Sequence, residues 1–269
     1  VRGDDGALKA TAAVADPSVM EAVTFAGVLG AVVGSFLNVV AYRLPRKESL
    51  VFGGSHCPAC GAPVKPYDNV PILSFLALRG RCRSCAARIS VRYPIVEALT
   101  GALCVGAVLV HHTAAGIALS ITLILLLVPA TAIDLEHRII PNRLTGPGAL
   151  LGLAIGLALD PSGEPERLIA AAGAGGFLLA AALARPGGMG MGDVKLAAVM
   201  GLFLGRTVAP AIMIALLSGV LVGGVVILAR GVHEGRKTAV PFGPFLALGA
   251  IVAIYAGQDL IDAYLDNVR

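Results

Sequence analysis

Two kinds of residue in this 269-residue chain are spaced for chemistry: aspartates at the ends of apolar runs, and paired cysteines. Asp134 closes one long apolar stretch and opens the segment DLEHRIIP (134–141). Asp193 follows a glycine run in GGMGMGDVKL (187–196). Ionisable residues in or beside an apolar span are costly and by default mark function. Two carboxylates that approach closely share a proton, so one activates water while the other protonates the leaving group. Such a pair hydrolyses peptides without drawing on a metal or a nucleophilic side chain. Gly190 and Gly192 allow close backbone approach beside Asp193, and Lys195 would favour its ionised form if the two are near. The plainer alternative makes Asp134 a membrane-border residue and the glycine run a flexible turn.

The second group is Cys57-Pro-Ala-Cys60 and Cys82-Arg-Ser-Cys85, two Cys-x-x-Cys knuckles in one loop. Tetrahedral Zn²⁺ takes four thiolates, and a two-residue gap lets both thiolates of a knuckle reach one ion. The 21 residues between the knuckles slightly exceed the usual spacing. Two disulfides or a redox pair are the alternatives; a cytosolic loop disfavours the first, and no thioredoxin-like strand and helix pattern surrounds either knuckle. A structural zinc would fold a segment too small to fold by itself. Cys104, alone in an apolar run, is a small buried residue.

The elements that must position these groups are apolar. The chain is 57% hydrophobic and 14% charged, far from soluble domains, and disorder, a coiled coil and a secreted disulfide scaffold are excluded. With a net charge of only +4, nucleic acid is not an expected partner; the lipid bilayer is. At about 20 apolar residues per crossing, spans are expected at 19–42, 94–110, 114–133, 144–159, 167–184, 194–205, 207–229 and 241–261. The sixth, at about 18 Å of helix, is too short to cross unbroken. Sixteen of the 21 Lys and Arg fall in loops on one side, which makes that side cytoplasmic and places both termini outside. The expected fold is therefore an all-α polytopic membrane protein of about eight transmembrane helices with a small cytoplasmic zinc-binding loop domain. Its parts are an extracytoplasmic tail at 1–18, a first helix at 19–42, the four-Cys domain at 43–93, a transmembrane core at 94–262 and a tail at 263–269. The chain starts at Val, so its true start is left open, and the first apolar run is expected as an uncleaved helix. The basic residues of the loop either contact anionic lipid headgroups or only set topology.

Asn38, inside an apolar helix, needs a hydrogen-bond partner on a neighbouring helix. His111 and His112, without a third ligand, belong to an interface; the role of His137 is open. Residues 242–245 (FGPF) mark a helix start near the site, with a packing or gating role. Two competing classes are an ion-coupled transporter using the aspartates as proton carriers near the midplane and a zinc-dependent adaptor. The first expects a repeat and midplane carboxylates; the second leaves the glycine-flanked aspartate unexplained.

GMGDVKL (190–196) resembles the GxGD signature of intramembrane aspartyl proteases, and DLEHRIIP (134–141) resembles the first-aspartate motif of bacterial type IV prepilin peptidases. GSFLNVVAYRLPR (34–46), both knuckles, YPIVEALTG (93–101) and PFGPFL (241–246) are similar to the same family, in the same order. The resemblance implies a bacterial inner-membrane enzyme that cuts the basic leader from prepilins or type II secretion pseudopilins after a glycine, with Asp134 and Asp193 as the catalytic pair. It also implies, for members with the four-Cys loop, methylation of the new N-terminus by S-adenosylmethionine, for which Glu97 is the candidate. Ile133 and Asn142 depart from the family pattern, which commonly has Phe and Asp there.

Overall fold

The structure, a computed structural model, describes residues 17–50, 52–185, 188–231 and 240–268. The expected N-terminal tail as far as residue 16, Gly187 and the basic residues Arg236 and Lys237 lie outside them. Its long elements are helices α1 (Pro17–Arg43), α2 (Arg92–Val110), α3 (Ala114–His137), α4 (Asn142–Leu159), α5 (Glu164–Ala184), α6 (Met191–Leu204), α7 (Val208–Arg230) and α8 (Gly243–Val268). Among the described residues the only β pairing is two isolated bridges.

Among the described residues six helical stretches are long and apolar enough to cross a membrane, so the count of eight spans is not confirmed. One of the six, Met191–Arg230, contains both α6 and α7, joined by the 3-10 turn Gly205–Thr207. At 14 residues, α6 rises roughly 21 Å, short of the roughly 30 Å hydrocarbon core. The helix α4 is not among the six: Asn142, Arg143 and Thr145 make its first turn polar, and Pro147 follows. At the other end of the chain α8 runs on to Val268, through residues expected as a tail.

The chain divides into two units, one built from residues up to Asn38 with Phe52–His112, the other from Val39–Val51 and Thr113 onward. In the first, α1 packs on α2 through small residues. A Cβ on Gly30 would lie 3.0 Å from the Gly101 backbone, and one on Gly34 would lie 3.0 Å from Thr100 Cβ. Such close backbone approach is what joins helices where lipid supplies no hydrophobic drive between them. Asn38 lies in this seam as expected, its amide donating to the carbonyls of Gly34 at 3.3 Å and Tyr93 at 3.4 Å.

In the second unit α5 packs along α6 and α7 along α8. Thr113 caps α3 by accepting the Gly116 amide, and Arg138, at φ 55°, ends it in the left-handed region. The side chains of Leu123, Ile124, Leu127, Ile133, Leu196, Met200 and Leu246 fill the core between α3, α6 and α8.

At the opposite end from Asp193, between α4 and α5, lies a charged cluster of Asp160, Glu164 and Arg167. The Arg167 guanidinium binds Asp160 Oδ2 at 2.8 Å and Glu164 Oε2 at 2.9 Å. The same guanidinium holds the Asp160 carboxyl below the ordinary carboxylate range. The Glu164 and Arg167 side chains are almost fully buried. Removing one partner of a buried pair leaves an uncompensated charge, so Arg167→Leu should cost about 3 kcal/mol or more. A thermal melt in detergent unchanged from wild type would contradict this.

Candidate active site and metal centre

The candidate aspartates sit at converging helix ends. Asp134 lies in the last turn of α3, Asp193 in the first turn of α6, and both are buried, at 4% and 9% exposure. The segment six residues past Asp134 lies against the first turn of α6, where Ile140 faces Gly192.

Each carboxylate has its own backbone donor. Gly243 N–H, at the start of α8, donates to Asp134 Oδ2 at 2.9 Å. Gly190 N–H donates to Asp193 Oδ2 at 3.2 Å, while Asp193 N–H returns a bond to the Gly190 carbonyl. The carboxylate at the third helical position thus reaches back to the N-cap amide, the half of a capping box that a glycine N-cap permits. A helix N-terminus offers free amides to anions, and here two of them, on α6 and α8, each take one aspartate.

The two motif glycines do different work. A Cβ on Gly190 would approach Asp193 Oδ2 to 3.1 Å, whereas one on Gly192 would meet Ile140, with its Cβ at 3.0 Å and its backbone nitrogen at 3.3 Å. Gly192 thus lets the first turn of α6 lie against the segment that follows α3, which draws Asp193 toward Asp134. Lys195 does not pair with Asp193: its Nζ donates to Asn142 Oδ1 at 2.9 Å, tying α6 to α4. Asn142, the position that departs from the family pattern, keeps this link as a neutral acceptor. Among the described contacts His137 faces only Glu136, at 3.9 Å.

Gly243 as a donor was not expected from sequence. The signal was present, since Gly243 followed by Pro244 marks a helix start. That its amide would meet Asp134, 109 residues earlier, is a tertiary fact.

The four cysteines come together. Sγ atoms of Cys57, Cys60, Cys82 and Cys85 all lie within 4.8 Å of one another, with Cys57 and Cys85 at 3.8 Å. Zinc–sulfur bonds of about 2.3 Å in a tetrahedron require sulfur–sulfur edges of about 3.8 Å. The knuckles repeat one geometry: Cys57 N–H bonds the Ala62 carbonyl as Cys82 N–H bonds that of Ala87, and bridges His56–Pro63 and Arg81–Arg88 close the two hairpins. Amides of Cys60 and Ala59 draw the Cys57 thiol down to about 6. At Cys85 the Ala87 amide also pulls down, but the thiols of Cys60, Cys82 and Cys57 carry it up to about 12. Crowded thiols therefore ionise one at the expense of another, and a dication is what lets all four be thiolates. The donor set fits structural zinc.

Gly61 in the first knuckle and Ala86 in the second occupy the same left-handed position, at φ 70° and 58°. A side chain there costs roughly 1–2 kcal/mol, so Ala86→Gly should stabilise the loop, read as slower zinc loss to a chelator. Equal or faster loss would count against the paired-knuckle geometry.

Glu97 is buried on α2, and its Oε2 accepts the Ile72 amide at 2.7 Å. That contact anchors the cysteine loop to the helix.

Comparison with known proteins follows the two units. Residues 28–111 match the Bacterial Peptidase A24 N-terminal domain, and residues 121–228 match the Type IV leader peptidase family. The chain is similar to the prepilin leader peptidase/N-methyltransferase of Myxococcus xanthus, 40% identical over 222 residues, 80% of this chain and 65% of that protein. It is 35% identical over 268 residues to the protein of that name from Xanthomonas campestris pv. campestris, 88% of this chain and 92% of the relative. The one from Burkholderia pseudomallei is 35% identical over 283 residues, 94% and 90%. No solved structure matches the chain. Matched in both units and along most of these last two relatives, the chain belongs to the type IV leader peptidase family and is a multi-pass membrane protease.

Proposed function

We propose that Asp134 and Asp193 are the catalytic pair of an endopeptidase that removes the basic leader from type IV prepilins or type II secretion pseudopilins after a glycine. The observation that carries the reading is the burial of two carboxylates at the converging ends of α3 and α6, each held by a backbone amide. In the mechanism one carboxyl is protonated and the other ionised. The ionised one takes a proton from water as the water oxygen attacks the scissile carbonyl carbon. The protonated one then gives its proton to the amide nitrogen as the C–N bond breaks. Both residues lie at helix ends, which supports hydrolysis at a membrane boundary over the midplane site of a transporter.

The relatives' shared name includes N-methyltransferase, and we extend that second activity to this chain, with S-adenosylmethionine supplying the methyl group. Glu97, whose Oε2 accepts the Ile72 amide, is the candidate residue for that transfer. Cys57, Cys60, Cys82 and Cys85 would hold the zinc, which crosslinks the two knuckles and does no chemistry. The arrangement of domains is taken as tail, first helix, four-Cys domain and transmembrane core. The catalytic face and the cysteine loop are cytoplasmic and both termini outside, following the charge distribution. A basic leader then stays at the anionic surface while the apolar segment after the cut lies in the bilayer, and depth selects the bond.

The test is processing of a purified prepilin by the full chain in lipid vesicles with labelled S-adenosylmethionine. Leader release with label on the new N-terminus is expected. No release overturns the peptidase reading; release without label overturns only the methyl-transfer part.

A further inference from the structure

The cysteine loop carries an apolar group that neither the knuckles nor the candidate active site uses. Leu73 and Leu76, one turn apart on the short helix Leu73–Ala77, are 64% and 65% exposed, and Val70 and Tyr67 beside them are exposed as well. The segment is not slack. Ser74 Oγ accepts the Val70 amide at 2.9 Å and donates to the Tyr67 carbonyl at 3.0 Å. Ile72 sits at φ 62°, ψ −51°, with Leu73 N–H bonded to the Pro71 carbonyl. That is the strained γ-turn form, rare for a β-branched residue, and it persists only where surroundings over-determine it.

Glu97 supplies the restraint, and its position gives the turn a depth. The Ile72 amide is held at 2.7 Å by Glu97 Oε2, five residues into α2, about 7.5 Å along the helix from Arg92. As one of the helices long and apolar enough to cross a membrane, α2 exposes Ile95 and Leu99 on this same stretch. The loop backbone is thus pinned beside a part of α2 whose exposed side chains, Ile95 and Leu99, are apolar. Lys65, Arg79, Arg81 and Arg88, all exposed, lie on the flanking segments. Apolar tips with a cationic surround fit the boundary between acyl chains and anionic headgroups.

We propose that residues 70–76 are a membrane-inserted finger, with Leu73 and Leu76 in the headgroup–acyl boundary, and that Glu97 sets its depth. The partner is the anionic lipid surface itself. The finger holds the four-cysteine module against the bilayer, and the strained turn aims the leucines away from the module's own fold.

The chain contains no Trp, so one introduced Trp reports alone. Leu73→Trp, Leu76→Trp and, as a reference on α2, Leu99→Trp are reconstituted as full chains in phosphatidylcholine–phosphatidylglycerol vesicles, with retained zinc verifying the fold. The expected result is blue-shifted emission at 73 and 76, quenched severalfold more by lipids brominated near the top of the acyl chain than by aqueous acrylamide. Water-like emission at both positions, quenched by acrylamide while position 99 is quenched by brominated lipid, overturns the finger and leaves the span intact. Emission that turns apolar only when a prepilin-derived apolar peptide is added also overturns it, because the surface then takes substrate. Two positions on one turn keep the test decisive if one variant fails to fold.

Discussion

Asp134→Asn and Asp193→Asn should each slow leader cleavage by about a thousandfold or more, at the upper part of the range for one general acid or base. Asparagine matches aspartate in shape but neither accepts a proton from water nor gives one to the leaving nitrogen. Its side-chain oxygen can still accept the amide now donated to Asp134 by Gly243 or to Asp193 by Gly190, so the helix ends should stay in place. Because the two groups act as a unit, the double variant should be scarcely slower than either single one. Initial rates on a purified prepilin, with zinc content as the check on folding, decide the matter. Near-wild-type cleavage by either variant would remove the two-carboxylate mechanism.

Gly243→Ala should come next, with a loss of about a hundredfold, the cost of misplacing a reacting group by roughly an ångström. A Cβ at 243 would lie 2.8 Å from Asp134 Oδ2, 3.1 Å from its Cγ and 3.2 Å from its Cβ. The whole side chain must move, and the 2.9 Å amide bond is strained or lost. At Gly190 the same change meets only Asp193 Oδ2, at 3.1 Å, an atom that rotation can withdraw, so Gly190→Ala should lose distinctly less. The comparison separates positioning from bulk folding: both variants should melt near wild type while their cleavage rates diverge. Equal rates for the two would show that the contact at Gly243 does not set Asp134.

Much of this was legible in the residues because a membrane makes charge scarce. Asp134 and Asp193 stood out since few carboxylates border apolar runs, and the knuckle spacing of Cys57, Cys60, Cys82 and Cys85 needs only local geometry to define four ligands. Helix positions followed from apolar run length, apart from polar-ended α4 and the short α6, where that signal weakens. Asn38 was legible too, because a buried amide in a helix must find a partner and Tyr93 supplies it.

The rest depended on contacts between segments far apart in sequence, which residue type does not encode. Lys195 was free on paper to face Asp193 but found Asn142, since α4 begins beside its turn of α6. Glu97 stood out only through the family resemblance, and its bond to the Ile72 amide is a contact that the sequence did not indicate. Arg167, at the expected start of a span, is buried by packing between Asp160 and Glu164. The sequence alone determined which groups could react and which runs could cross a membrane, because those follow from pKa class, ligand spacing and hydropathy. The Gly190 amide meets Asp193 three residues on, a contact local to the start of α6; only the tertiary structure decided that the Gly243 amide receives Asp134, because free amides exist at every helix start and packing chooses which of them a distant aspartate meets.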